Sequence, residues 1–210
     1  MVSAATWRRA DSGASRTLPD AFAAMTPVVD ALDQLAVRYH IGGSLASSAY
    51  GVPRATPDVD LVADLRPEHV DAFVGRLEAE YYLDRAGVLE AVRQRRSFNL
   101  IHLNTMIKVD VFVAEARPFD RQEQSRAQPQ ILDVAENARA FFVKSPEDLV
   151  LRKLLWSRAG GEVSERQWSD VIGVLKVQAK QLDRDYLAHW AAELELDDLL
   201  ERAFAEAKDA

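Results

Sequence analysis

The sequence predicts an α/β (α+β) chain, with strand-like and helix-like runs interleaved in the front part and helices alone in the back. Three observations carry this. Short apolar runs bounded by turn residues recur between helical patterns as far as Val143. A turn at Gly42, Gly43 and Ser44 joins one such run to a short helix. From Ser145 onward each segment has helical spacing and helix-start signals.

Residues 1–17 are rich in Ser, Ala, Gly and Arg and read as a loose arm carrying Trp7. From Leu18 to about Val37, apolar residues such as Phe22, Met25, Val28, Val29 and Leu32 recur at helical spacing. Residues 38–41 read as a short strand entering the glycine turn. Residues 45–50 read as a short helix ended by Gly51 and Pro53, and residues 59–65 as a strand. Pro67 opens the next helix, with Val70, Phe73, Val74 and Leu77 on its buried face. Residues 86–96 read as a helix ending in Arg93, Arg95 and Arg96.

Two strands follow, at 98–103 and 107–113, with Asn104-Thr105 as the hairpin turn between them. In the second, Lys108, Asp110 and Phe112 alternate with Val109, Val111 and Val113. Residues 117–130 are polar, contain Pro118 and Pro129, and suit a surface segment. Residues 131–134 and 140–143 read as edge strands. Ser145-Pro146-Glu147-Asp148 combines an N-cap serine, a proline at the first position and acids in the first turn. The helix it opens ends at Gly160-Gly161. Ser164-Glu165-Arg166-Gln167 is a capping-box pattern, and two more helices lie near 183–194 and 196–207. The expected division is a 1–17 arm, an 18–143 core and a 144–210 helical C-terminal domain.

A hydrophobic fraction of 48% over 210 residues supports a real core and excludes a disordered chain. The net charge of −7 argues against a dedicated nucleic-acid binder but leaves room for a local basic groove. With no cysteine, disulfides and thiolate metal sites are excluded, and a cytoplasmic protein is the simplest expectation. The N-terminus has no apolar signal-peptide core, and no stretch approaches the ~18 apolar residues of a membrane span, so no membrane partner is expected.

The chemistry concentrates between residues 42 and 60. A Gly/Ser turn lets backbone N–H groups approach an anion, and the Ser44 hydroxyl is small enough to bond a phosphate oxygen. With thirteen residues between, Ser44 is followed by Asp58-Val59-Asp60 in an apolar run, where alternation puts both acids on one face. Two adjacent carboxylates repel, and a divalent cation relieves the repulsion. Asp110, inside a second strand, is a third acid that is costly there unless paired or metal-bound. Converging, the three would hold two Mg²⁺ ions, one activating an attacking hydroxyl and one holding the β- and γ-phosphates.

This pattern resembles the nucleotidyltransferase fold of the DNA polymerase β superfamily. It carries Gly43-Ser44, Asp58-Val59-Asp60 and a later strand acid, Asp110, and the likeness covers about residues 36–115. It is closest to small stand-alone bacterial members, among them minimal and antibiotic nucleotidyltransferases and the toxins of abortive-infection pairs. The resemblance implies an α/β core with a mixed sheet flanked by helices. It also implies two Mg²⁺ ions (with Mn²⁺ as a substitute) and transfer of NMP from an NTP, such as ATP, to a hydroxyl. By the same resemblance Gly43 and Ser44, with Gly42 beside them, would bind triphosphate. Asp58 and Asp60 would bind both metals, and Asp110 would serve the activating metal and the deprotonation of the acceptor. The long spacing is filled by residues 51–56, from which Arg54 would reach a phosphate or pin the loop.

Lys153, Arg166 and Asp170 resemble the Lys…Arg…Asp helical signature of the abortive-infection toxins, whose lysine contacts nucleotide phosphate. Arg166 and Asp170 are four apart on one helix face and suited to pair. Lys108 points to the same side as Asp110 and would balance charge in the cleft or contact the acceptor. The Arg93–Arg96 cluster suits either an RNA patch or a solvated helix end. His40 and His102 lack ligand-spaced partners and read as core or edge histidines. The acceptor is left open between small molecule, RNA and protein. Two alternatives stand beside the enzyme: a non-catalytic nucleotide sensor or partner subunit, and a toxin-like enzyme held by an antitoxin-like partner.

Overall fold

The structure is a computed structural model and describes residues 18–52, 58–132, 139–160 and 165–209. In chain order its elements begin with α1 (Leu18–Gln34), β1 (Tyr39–Ile41), α2 (Gly43–Tyr50) and β2 (Asp58–Ala63). A 3₁₀ turn (Pro67–His69) then leads into α3 (Val70–Leu77), β3 (Tyr81–Tyr82) and α4 (Arg85–Arg93). Next come β4 (Ser97–His102), β5 (Lys108–Val113), α5 (Pro118–Arg126), β6 (Gln128–Ile131) and β7 (Ala140–Val143). Four helices close the chain: α6 (Pro146–Gly160), α7 (Glu165–Gln178), α8 (Arg184–Glu193) and α9 (Asp197–Asp209).

The strands form one mixed sheet in the order β3-β4-β5-β2-β1-β7-β6. β2 runs parallel to β5 and antiparallel to β1, while β1 runs parallel to β7. The alternation expected for β2 and β5 is present in both. Val59, Leu61 and Ala63, like Val109 and Val111, are fully buried on one face, which α1 covers. Asp58, Asp60 and Val62, like Lys108, Asp110 and Phe112, emerge on the other. α1 packs on the first face because Ala21, Ala24, Met25, Val28, Val29 and Leu32 make a continuous apolar stripe. α3 continues that layer with Val70, Phe73, Val74 and Leu77, as its periodicity requires. On the acidic face lie α2 and α6, with α7 packed against both. The Ser145 hydroxyl accepts from the Asp148 N–H at 3.2 Å, the cap expected at the start of α6. Among the described residues no helix is long and apolar enough to cross a membrane.

Three expectations are corrected. Residues 117–130 are not a plain surface segment: 118–126 form α5, which buries Phe119 and Glu123. Its pattern was unreadable because those two positions stand among charges whose partners lie far along the chain. Of the edge strand expected at 131–134, Ile131 is the last residue of a strand that begins at Gln128, and residues 133 and 134 lie outside the described residues. β7 is interior to the sheet, between β1 and β6, so β6 with its Pro129 takes the edge, where a missing N–H is tolerated. The 1–17 arm, Arg54 and the Ser164 cap lie outside the described residues.

Candidate active site

β1 ends at Ile41, and the chain turns at once into α2. Gly42 is the N-cap of α2, and its N–H donates to the Asp60 carbonyl at 2.9 Å. Gly43 has φ +53°, the left-handed region in which only glycine is unstrained. A Cβ at Gly43 would stand 1.7 Å from Asp60 Oδ2. The Asp60 carboxylate therefore rests against the first residue of α2, in a space that exists only because Gly43 has no side chain. The N-terminus of that helix, with Ser44 following, carries the positive end of the helix dipole beside the acid.

Asp60 lies directly opposite Asp110 in the parallel β2–β5 pair, and Asp58 opposite Lys108. Burial raises the Asp60 carboxyl to about 6, with the charges of Asp58 and Asp110 adding to the effect and Lys153 and Lys108 opposing it. Asp110 Oδ2 is taken by Lys108 Nζ at 2.7 Å, a hydrogen bond that holds the lysine above its ordinary value. Among the described residues no three carboxylate or imidazole side chains are drawn into a ready cluster around a metal position. The donor set nonetheless fits a hard divalent cation: oxygen donors on one face, at adjacent register, where burial and the mutual repulsion of the acids make the Asp60 carboxylate costly to ionise without a cation. Cation binding by all three requires Lys108 to release Asp110.

These side chains border a cavity of about 750 Å³ between the acidic face of the sheet and α6. Of the residues singled out in the sequence, Gly42, Gly43, Ser44, Asp58, Asp60, Arg95, Arg96, Lys153 and Arg166 line it. Asp110 and Lys108 stand beside it, and Asp170 reaches it through Lys153. Lys153 Nζ donates to Asp170 Oδ2 at 2.9 Å, joining α6 to α7, so Asp170 serves the lysine across helices. Both groups are largely buried, and a buried ammonium without that partner would be expensive.

Sequence reading missed the far wall of the cavity. Glu123 on α5 accepts from Lys144 Nζ at 2.8 Å and from Arg152 of α6, all three largely buried. Arg152 also donates to Asp120 at 2.7 Å, and Arg117 donates to the same carboxylate at 2.7 Å. Burial pushes Asp120 up, but the hydrogen bonds from Arg117 and Arg152 outweigh it and hold the carboxyl below its ordinary value. Beneath this network His40 is buried with neither ring nitrogen hydrogen-bonded, and desolvation, with Lys144 and Arg152 nearby, holds it well below its usual range. His40 and His102 are thus core histidines; His102 Nδ1 meets Thr105 Oγ1 at 2.9 Å. The only local signal for the network was Lys144, a cation directly following an apolar strand.

Similarity to solved structures bears on this arrangement. A nucleotidyltransferase-like antigenic protein of Paracoccidioides brasiliensis superposes over 86% of this chain and 91% of its own, with a TM-score of 0.50 and 19% identity. ANT(2")-Ia in complex with adenylyl-2"-tobramycin superposes over 82% of this chain and 95% of its own, with a TM-score of 0.51 and 14% identity. The chain has the nucleotidyltransferase fold. No family model and no curated protein matches its sequence. At these identities the likeness is one of architecture. Within the nucleotidyltransferase fold, the sheet, the glycine turn and the strand carboxylates above are this chain's own.

Proposed function

We propose that the protein is a Mg²⁺-dependent nucleotidyltransferase that moves an NMP group from an NTP to a hydroxyl acceptor and releases pyrophosphate. The observation that carries this reading is the seating of Asp60 against Gly43. It puts an anion-binding helix N-terminus and a pair of strand carboxylates in direct contact, so phosphate and cation can be held at one point.

In this reading the first turn of α2, at Gly43 and Ser44, receives the triphosphate, and Lys153, anchored by Asp170, offers positive charge from α6. Asp58, Asp60 and Asp110 hold the cation, with Mn²⁺ as an alternative to Mg²⁺. When bound, the ion supplies charge neutralisation on the phosphates and acidifies the acceptor hydroxyl. The acceptor oxygen forms a bond to the α-phosphorus, the bond to the bridging oxygen breaks, and pyrophosphate leaves with the electron pair. The hydroxyl proton passes to the Asp110 carboxylate and on to solvent. Lys108, freed from Asp110, remains beside the site as a counter-charge.

The Lys108–Asp110 ion pair favours a second reading, a nucleotide-binding protein without turnover, because the third acid is already neutralised. One experiment separates the two. α-Labelled NTPs with Mg²⁺ are offered with total RNA, cell metabolites and the protein itself, with Asp58→Ala/Asp60→Ala alongside. Label transfer by wild type alone supports the enzyme. NTP binding without transfer supports the second reading, and neither binding nor transfer overturns the site.

A further inference from the structure

The acidic face of the sheet continues past the carboxylates. Phe112 follows Asp110 on the same face, about 7 Å further along the strand. Trp156 of α6 packs on it, ring centroids 5.7 Å apart at 52°, and stays 46% exposed while lining the cavity. An exposed tryptophan inside a charged cleft is a stacking surface waiting for a ring. The charges around it are unequal in kind. Each acid on that side is matched: Asp120 by Arg117 and Arg152, Glu123 by Lys144 and Arg152, Glu115 by Arg117 at 3.1 Å. Among the described residues, Arg95 on the cavity wall is held by the Ala114 carbonyl, and two further wall cations have no side-chain partner at all. The side chains of Arg96 and Arg166 make no ion pair or hydrogen bond with any described residue, and both line the cavity.

We propose that the Phe112–Trp156 platform, with Arg96 and Arg166, is the acceptor subsite, and that it takes a planar, anionic acceptor of nucleoside-phosphate chemistry. This rests on the nucleotidyl-transfer reading and deepens it. In-line displacement places the attacking oxygen opposite the departing pyrophosphate. The phosphate-binding turn abuts Asp60 from the β1 side, and the platform lies beyond Asp110 on the β5 side, so the carboxylates stand between the two. A ring stacked on Trp156 presents its sugar hydroxyls toward Asp110, while its phosphate meets the unmatched arginines. A polycationic acceptor finds no unmatched carboxylate on this wall.

The test uses the full-length protein saturated with a non-hydrolysable NTP and Mg²⁺. Binding of a mononucleotide and of a short oligoribonucleotide is measured by calorimetry, which separates a free nucleotide from a strand end as the source. The subsite predicts binding of at least one of them, weakened about tenfold in Trp156→Ala, restored in Trp156→Phe, and weakened in Arg96→Ala, with NTP affinity unchanged in all three. No binding of either probe, or binding indifferent to Trp156, overturns the inference. So does a Trp156→Ala variant whose defect is in NTP affinity, because the platform would then hold the donor base. Label transfer to a polycation that is insensitive to Trp156 overturns the inference and leaves nucleotidyl transfer standing. Failure of the NTP itself to bind overturns both.

Discussion

Removing the charge of Asp60 should stabilise this protein at neutral pH and abolish its response to divalent cations. The Asp60 carboxyl is raised from 3.8 to about 6 by burial and by Asp58 and Asp110. The sign follows from proton binding. Below the unfolded value both states hold the proton and the site costs nothing. As pH rises from about 4 to 6 the unfolded chain ionises freely while the folded one resists, so stability falls. Above 6 the full cost is present, about 3 kcal/mol for a shift of this size. Asp60→Asn mimics the protonated acid at every pH. The variant and wild type should therefore melt alike near pH 4. At pH 7.5 the variant should melt about 6–12 °C higher, at ~2–4 °C per kcal/mol for a chain of this length. Mg²⁺ or Mn²⁺ should raise the wild-type midpoint at pH 7.5, less at pH 5 where protons compete, and not that of the variant. Scanning calorimetry at the two pH values, with and without cation, reads all of this. A variant no more stable than wild type at pH 7.5, or one with an equal cation shift, would refute the reasoning.

Gly43→Ala puts a methyl group into the Asp60 carboxylate and forces a left-handed backbone on alanine, so urea denaturation should show a loss of about 1–2 kcal/mol for the backbone alone. The same variant should bind Mn²⁺ more weakly by calorimetry, since Asp60 must move. Lys108→Met releases Asp110 from its ion pair and should tighten cation binding; weaker binding would mean that the lysine organises the acid instead of competing for it. Glu123→Gln strips the shared negative charge from Lys144 and Arg152, two buried cations, and should cost about 3–5 kcal/mol in urea unfolding. A loss below ~1 kcal/mol would mean that water already screens the network.

The parts of this molecule legible in its sequence are those governed by neighbours along the chain. Alternation of valine against Asp110 and Phe112 disclosed β5 and its exposed face, and the helical spacing of Phe73, Val74 and Leu77 disclosed α3. The glycine turn was legible as a turn; that Gly43 must be glycine because of Asp60 was not, since the carboxylate arrives seventeen positions later and through space. α5 was lost for a related reason. Its sequence, Pro-Phe-Asp-Arg-Gln-Glu-Gln-Ser-Arg, has the composition of a solvated segment, and Glu123 becomes an interior residue only when Lys144 and Arg152 are brought to it. Asp170 was assigned by helix spacing to Arg166, whereas packing of α6 on α7 delivers it to Lys153. Trp156 stands in an apolar helical run with Leu149, Val150, Leu151, Leu154 and Leu155, and nothing local to that run shows that it lies half-exposed on the cavity wall.

The hydrogen bond from the Gly42 N–H to the Asp60 carbonyl ties together the two ends of the segment that separates the helix turn from the carboxylate strand. The first part of this segment, through Tyr50, is α2, whose Leu45, Ala46 and Tyr50 are buried, so its length there is fixed by packing. Loop-closure entropy, which grows by only about 0.6 kcal/mol for each doubling of length, governs the connection after α2. Of the thirteen residues between Ser44 and Asp58, those after Tyr50 are therefore the free variable of the architecture. Inserting or deleting residues beyond α2 leaves the knot at its base untouched. A pattern search written around that count will miss kindred chains that one allowing any interval between the two knotted ends would find.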